Sequence, residues 1–286
     1  MNQIQFHKRP KRPFIIAGPC MAESEELINE VAGAMVLLSQ ELDFNYIFKA
    51  SFDKANRTSM GSSRGPGWRQ TMTWFQNLKE RFGVPVLTDV HETHQVAEVA
   101  EVCDVLQIPA FLCRQTDLIV EAVRSGRAVN VKKGQFLSPY NAGSIIGKIN
   151  AVCKESGLNP NFALTERGYS FGYGNLVVDM RSFKIMHDAG APSIFDITHS
   201  LQLPSAGGEA GEISGGLREF APVLSRAAAA SGYVDGFFLE VHTNPAQAKS
   251  DASTQLNVKQ ATTTLKHLLA MWQLSQDMAQ EDQLFS

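Results

Sequence analysis

The chain has 286 residues, 44% of them hydrophobic, and a formal charge of -3. That balance leaves no basic field for nucleic acid or an anionic membrane surface, and its apolar runs fall far short of the ~20 residues that span a bilayer. The cysteines at positions 20, 103, 113 and 153 are too few and too scattered for a disulfide framework, so a reducing, cytoplasmic setting is expected.

Residues 1–13 are basic but lack the apolar stretch of a secretory signal, and read as a short arm or cap. From there, β-rich runs alternate with helical stretches. The runs are Phe14–Cys20, Tyr46–Ser51, Val84–Val90, Val105–Ala110, Ala128–Lys133, Phe162–Arg167, Pro192–Thr198 and Gly236–His242. Most are continuously apolar until their last residues, as in parallel strands buried on both faces. The final helix carries Leu265, Leu268, Leu269 and Trp272 on one face. No G-x-G-x-x-G follows the first run, and no linker or composition shift marks a domain seam. The expectation is one domain over 1–286, an α/β chain folded as a single (β/α)8 TIM barrel with a short N-terminal extension.

Barrel enzymes build their sites where the strands end, so the polar residues closing each run are the candidates. Cys20, His199 and Glu240 close the first, seventh and eighth runs, which become neighbours in a closed barrel. Asp251, in the loop after the eighth, is a possible fourth donor. Mixed S, N and O donors suit Zn²⁺, Fe²⁺ or Mn²⁺ better than Ca²⁺ or Mg²⁺; the alternative is that a strand cysteine is a small core residue. The cations Lys49, Lys54, Arg57, Lys132 and Arg167 converge from the second, fifth and sixth runs. Either a phosphate or carboxylate ligand neutralises them, or local acids such as Asp53 and Glu166 do. The segment K-A-N-R-T-S at 54–59 suits a sugar phosphate, or is a polar turn. Asp89 and His91 are candidates for moving a proton or for binding a substrate hydroxyl.

The order and content of these motifs resemble the 3-deoxy-D-manno-octulosonate 8-phosphate synthases. The resemblance is carried by I-A-G-P-C at 16–20, F-K-A-S-F-D-K-A-N-R-T-S at 48–59, T-D-V-H-E at 88–92, Q-I-P-A-F-L-C-R-Q-T-D at 107–117, N-V-K-K-G-Q-F at 130–136, L-T-E-R-G at 164–168, F-G-Y-G-N-L-V-V-D at 171–179 and F-D-I-T-H-S at 195–200. It implies condensation of phosphoenolpyruvate with D-arabinose 5-phosphate and water, releasing phosphate, in lipopolysaccharide biosynthesis. It also implies a homotetramer, with Arg114 reaching the site of an adjacent subunit. Lys54, Asp89, His91 and Lys132 become the candidates for catalysis. Lys49, Asn56, Arg57, Thr58, Gln107, Ala110, Arg114 and Arg167 become those for holding substrate. Cys at position 20, where metal-independent relatives carry Asn, and S-D-A-S-T-Q-L at 250–256 resemble the metal-dependent branch. One divalent ion per subunit (Zn, Fe, Mn or Co) on Cys20, His199, Glu240 and Asp251 is therefore expected. Met60-Gly61 departs from the Ile-His that relatives often carry. The rivals are a 3-deoxy-D-arabino-heptulosonate 7-phosphate synthase using erythrose 4-phosphate, whose loop reads K-P-R-T-S, and a barrel that binds sugar phosphate without turnover.

Overall fold

The computed structural model describes residues 4–56, 61, 63–170, 174–207 and 213–285. In chain order it contains β1 (Phe14–Gly18), α1 (Glu25–Leu42), β2 (Asn45–Lys49), α2 (Trp68–Phe82), β3 (Val86–Asp89), α3 (Val96–Val102), β4 (Val105–Ile108), α4 (Thr116–Arg124), β5 (Ala128–Lys132), α5 (Gly143–Ser156), β6 (Phe162–Glu166), α6 (Arg181–Asp188) and β7 (Ser193–Asp196). These are followed by β8 (Gln202–Gly207), β9 (Ile213–Gly216), α7 (Ala221–Ala230), β10 (Gly236–Glu240) and α8 (Val258–Glu281). Eight strands close into a barrel in the order β1-β10-β7-β6-β5-β4-β3-β2, and its neighbouring pairs are parallel. The expected (β/α)8 barrel is the fold. Each strand stops one or two residues before its apolar run does. Past that point isolated bridges such as Met21 to Ser51 continue the pairing, and Val241 pairs with Leu256 in the loop before α8, as the chain diverges into the loops of the mouth. The antiparallel β8–β9 hairpin lies between β7 and α7; its Gly- and Ser-rich sequence gives no strand signal.

Side-chain alternation along the strands decides what fills the barrel and what surrounds it. Phe14, Ile16, Ile47, Leu87, Val105, Ala128, Ala163, Ile194 and Phe238 form one apolar cluster inside the barrel. A larger cluster, including Ile15, Phe48, Val86, Leu106, Val129, Leu164, Phe195 and Phe237, takes the opposite parity and packs beneath the helices. Two or four residues beyond the interior set, on the same parity, lie Cys20, Lys49, Asp89, Gln107, Lys132, Arg167, Asp196 and Glu240. The period of two thus delivers these polar groups to the C-terminal mouth, above an apolar floor. The outer helices meet this barrel through faces such as Ile28, Val31, Ala32, Met35 and Leu38 on α1, whose start is capped by Ser24 accepting from Leu27 N–H.

The N-terminal arm closes the opposite end. Phe6 packs edge-on against Phe14, with ring centroids 5.1 Å apart, and Asn161 both accepts from Phe6 N–H and donates to the Ile4 carbonyl. Arg9 N–H donates to Asp235, and Lys8 donates to the His187 carbonyl. The basic residues of the arm therefore serve as a cap. Gly18 explains the close approach of β1 and β2 at the mouth: a Cβ there would lie 2.0 Å from the Lys49 carbonyl oxygen. No described helix is long and apolar enough to cross a membrane.

Candidate active site at the mouth of the barrel

Cys20, just past β1, is fully buried and its thiol donates to Asp251 Oδ2 at 3.0 Å. Burial pushes this thiol well up, and Asp251 and Glu240 push it further. Glu240, at the end of β10, is also fully buried; its Oε1 accepts from Lys49 Nζ at 2.9 Å and lies 3.7 Å from His199 Nε2. Burial opposes its charge, but Lys49, His199 and Lys54 outweigh burial and hold its carboxyl below the usual range. The same balance sets Asp251, where burial is overcome by His199, Lys54 and hydrogen bonds from Cys20 and Gln202, leaving a pKa of about 2. Donor atoms of Cys20, Glu240 and Asp251 all lie within 4.8 Å of one another.

These residues fit a divalent cation. Glu240 Oε2 is buried without a hydrogen-bond partner among the described residues, an arrangement that costs free energy unless something else meets that oxygen. Two ionised carboxylates and a thiol converge on one point, and a cation there would favour the thiolate that burial opposes. His199 stands at the edge of this group. Its Nδ1 lies 2.8 Å from Asp196 Oδ2 and its backbone N–H donates to Asp196 Oδ1, which turns Nε2 toward Glu240. A carboxylate behind the imidazole is the usual way a histidine ligand is oriented.

Beside this cluster lie the cations. Lys132 is buried, paired with Asp196 and set over the Phe238 ring at 3.2 Å. Burial draws its pKa down to about 8 even though Asp196 opposes the fall. Asp196 itself stays well below the carboxylate range, since His199 and Lys132 outweigh its burial. The acids expected to neutralise the cations are engaged elsewhere: Asp53 with Arg64, and Glu166 with Lys133, whose opposite parity points it away from the interior. Two cations of the mouth, Lys54 and Arg167, form no ion pair among the described residues. Lys54 donates to Ser51 Oγ at 2.9 Å, and Arg167 to the neutral amide of Gln202 at 2.6 Å. Burial works against the Lys54 charge, yet Cys20, Glu240, Asp89 and Asp251 together raise its pKa well above the usual value.

Asp89 is held by Ser51 Oγ and by Gln107 Nε2 at 2.6 Å, and a polar chain continues from Gln107 Oε1 to Asn130 and on to Thr165. Burial opposes Asp89's charge, but Lys49, Lys54 and His91 keep it ionised far into acid. Gln107 thus spends one N–H and one lone pair of its amide on these neighbours and keeps one of each. Burial lowers the pKa of His91, and its Nδ1 has no hydrogen-bond partner among the described residues. Asn56 is exposed, Arg57 and Thr58 lie outside the described residues, Ala110 opens a short turn over Ala110–Leu112, and Arg114 is exposed. Cys103, Cys113 and Cys153 are buried packing residues.

Five contributors carry no role in the sequence reading. Asp196 ties Lys132 to His199, Ser51 and Asn130 fix Asp89 and Gln107, Gln202 joins Arg167 to Asp251, and Gln255 Oε1 accepts from Cys20 N–H. Only Asp196 had a signal, the D-x-x-H spacing with His199 at a strand end.

A family model described as the DAHP synthetase I family matches residues 6–280. Proteins named 2-dehydro-3-deoxyphosphooctonate aldolase are similar over nearly the whole length. The one from Variovorax paradoxus is 50% identical over 273 residues, covering 95% of this chain and 94% of its own. That from Koribacter versatilis is 52% identical over 256 residues, 90% of each. The Fusobacterium nucleatum protein is 52% identical over 256 residues, 90% of this chain and 89% of its own.

Proposed function

This chain belongs to the DAHP synthetase I family, and from that premise we propose that it condenses phosphoenolpyruvate with D-arabinose 5-phosphate and water to give 3-deoxy-D-manno-octulosonate 8-phosphate and inorganic phosphate. The relatives named octonate aldolase, about half identical over nine-tenths of the chain, support this reading over the heptulosonate one. The observation that carries it is the pair of cations at the mouth, Lys54 and Arg167, that have no acid partner among the described residues, beside the Lys132–Asp196 and Lys49–Glu240 pairs. Phosphoenolpyruvate brings a phosphate and a carboxylate on adjacent atoms, and these cations offer receptors for both.

Positioning supplies much of the rate, because the methylene carbon of an enol phosphate is a weak nucleophile. Arg167, Lys132 and Lys54 hold the anionic end of phosphoenolpyruvate, with Lys49 behind them. Asn56, Arg57 and Thr58 anchor the aldose phosphate, joined by Arg114 from an adjacent subunit of a homotetramer. Ala110 borders the substrate through its backbone. The new bond joins the methylene carbon to the aldehyde carbon, whose oxygen takes a proton. A water oxygen adds to the former enol carbon, and the bond from that carbon to the phosphate oxygen breaks, releasing phosphate. Cys20, His199, Glu240 and Asp251 would hold one divalent ion. When bound, it supplies a Lewis acid for the aldehyde end. Asp89, fixed by Ser51 and Gln107, accepts from a substrate hydroxyl, and His91, whose Nδ1 has no hydrogen-bond partner among the described residues, is the candidate for exchanging a proton at the reacting oxygens.

Mass analysis of the product from phosphoenolpyruvate and D-arabinose 5-phosphate should show one eight-carbon sugar-acid phosphate per phosphate released; phosphate release without a carbon–carbon product would refute the reading. Lys132 adds a pH dependence. Its charged form prevails below a pKa of about 8, so kcat/KM for phosphoenolpyruvate should hold below that pH and fall as pH rises through it. In Lys132→Arg the residual activity should lose that fall, since guanidinium keeps its proton. An unchanged descending limb would assign it to another group.

A further inference from the structure

Gln202, at the foot of the β8–β9 hairpin, stands between the two halves of the site. Its Oε1 accepts from Arg167 Nη2 at 2.6 Å and its Nε2 donates to Asp251 Oδ1 at 2.8 Å. A guanidinium only donates and an ionised carboxylate only accepts, so a neutral amide is the group that satisfies both at once. Neither Glu nor Leu does so.

The backbone that carries Gln202 is tied to the same loop that its side chain holds. Gln202 pairs with Gly216 across the hairpin, and a Cβ on Gly216 would lie 2.1 Å from Thr254 Cγ2, so glycine lets the hairpin seat against the 251–254 segment. Arg218, just past the hairpin, donates to the Ala252 carbonyl. Asp251 adopts a left-handed backbone, φ 47°, fixed by Thr254 and Gln255 N–H groups on its own carbonyl. Its Oδ2 is the oxygen that receives the Cys20 thiol, and Gln202 occupies the other oxygen. One amide therefore sets the orientation of the Asp251 carboxylate while bracing Arg167.

We propose that Gln202 is a positioning residue that couples the anion-binding arginine to the cation-binding cluster, so that phosphoenolpyruvate at Arg167 tightens the grip of Asp251 on a divalent ion. This rests on the function proposed above. Coupling of two binding events is reciprocal, so the ion tightens phosphoenolpyruvate by the same factor.

The test measures Mn²⁺ affinity by chelator competition on the full chain, with and without phosphoenolpyruvate, in wild type, Gln202→Leu and Gln202→Glu. Matched thermal unfolding confirms that each variant is folded. Gln202→Leu removes both hydrogen bonds: Mn²⁺ should bind about 10-fold or more weakly, and phosphoenolpyruvate should no longer change that affinity. Gln202→Glu keeps an acceptor for Arg167 but sets a like charge against Asp251. It should weaken Mn²⁺ at least as much and, because it gives Arg167 an acid partner, raise the KM for phosphoenolpyruvate as well. A residue that merely supports the hairpin would leave the effect of phosphoenolpyruvate on Mn²⁺ affinity as it is in wild type. If both folded variants bind Mn²⁺ as wild type does, or if phosphoenolpyruvate shifts Mn²⁺ affinity equally in all three, the coupling is refuted and the function stands. If wild type binds no Mn²⁺, Co²⁺ or Zn²⁺, the cation reading fails, and the coupling with it.

Discussion

Stripping divalent ions from the protein is expected to abolish turnover, and Mn²⁺, Co²⁺, Fe²⁺ or Zn²⁺ should restore it to different extents, because a mixed S, N and O shell accepts several borderline ions. Among single changes, Cys20→Ala is the cleanest. It removes a buried thiol whose described side-chain partner is Asp251, so the barrel should survive while activity falls by more than the about 100-fold that loss of an outer-sphere partner reaches. Cys20→Asn should bind ions weakly yet keep some chelator-resistant turnover if the amide positions the groups that the ion otherwise positions. Glu240→Ala is less clean. It strands Lys49, which is 1% exposed and has Glu240 as its ion-pair partner, and an uncompensated buried charge costs roughly 3–5 kcal/mol. Elemental analysis beside the activity assay separates loss of ion from loss of fold. Full-rate turnover by protein verified to be free of metal would contradict the reading of this cluster.

Arg167→Ala is expected to lower kcat/KM for phosphoenolpyruvate by roughly 10²–10³, mostly as a higher KM. Its thermal midpoint should change little, because the guanidinium is bonded to the partly exposed amide of Gln202 and not to a buried acid. Arg167→Lys should recover part of the activity, since a lysine keeps the charge but not the planar fork that meets two phosphate oxygens. Lys132→Ala would be harder to interpret, because it also releases Asp196, which orients His199. A wild-type KM for phosphoenolpyruvate in Arg167→Ala would move the phosphate elsewhere in the mouth.

How much of this was legible in the chain follows from the kind of signal each feature leaves. The barrel strands announce themselves as apolar runs because both faces are buried, and their polar last residues mark the mouth because side chains alternate inward and outward with a period of two. Lys49, Asp89, Lys132, Arg167 and Glu240 were found that way. The same rule separates Lys132, which faces the interior, from Lys133, which pairs with Glu166 at 3.5 Å outside it. The convergence of Cys20, Glu240 and Asp251 follows from closure, which makes β1 and β10 neighbours. What stayed hidden was the layer that supports these groups. Gln202 sits in a glycine-rich hairpin without periodicity, Gln255 looks like a loop residue, and Ser51, though it ends the second run, shows no role until the fold sets it against Asp89. Their roles lie in pairings as distant as Gln255 with Cys20, 235 residues apart, which no local pattern encodes.

The measurement that bears most directly on the proposed reaction is phosphate release from phosphoenolpyruvate with D-arabinose 5-phosphate and D-erythrose 4-phosphate compared on one metal-loaded sample. The loop here reads K-A-N-R-T-S, and under the proposed reading Asn56 meets an extra hydroxyl of the longer sugar. The five-carbon sugar should be turned over with a kcat/KM at least about 100-fold higher, since a site built to hydrogen-bond a substrate hydroxyl can reject an analogue lacking it by about 10⁴–10⁵. A preference for the four-carbon sugar would contradict the octulosonate assignment and make the chain a heptulosonate phosphate synthase, and no release with either would make it a binding barrel.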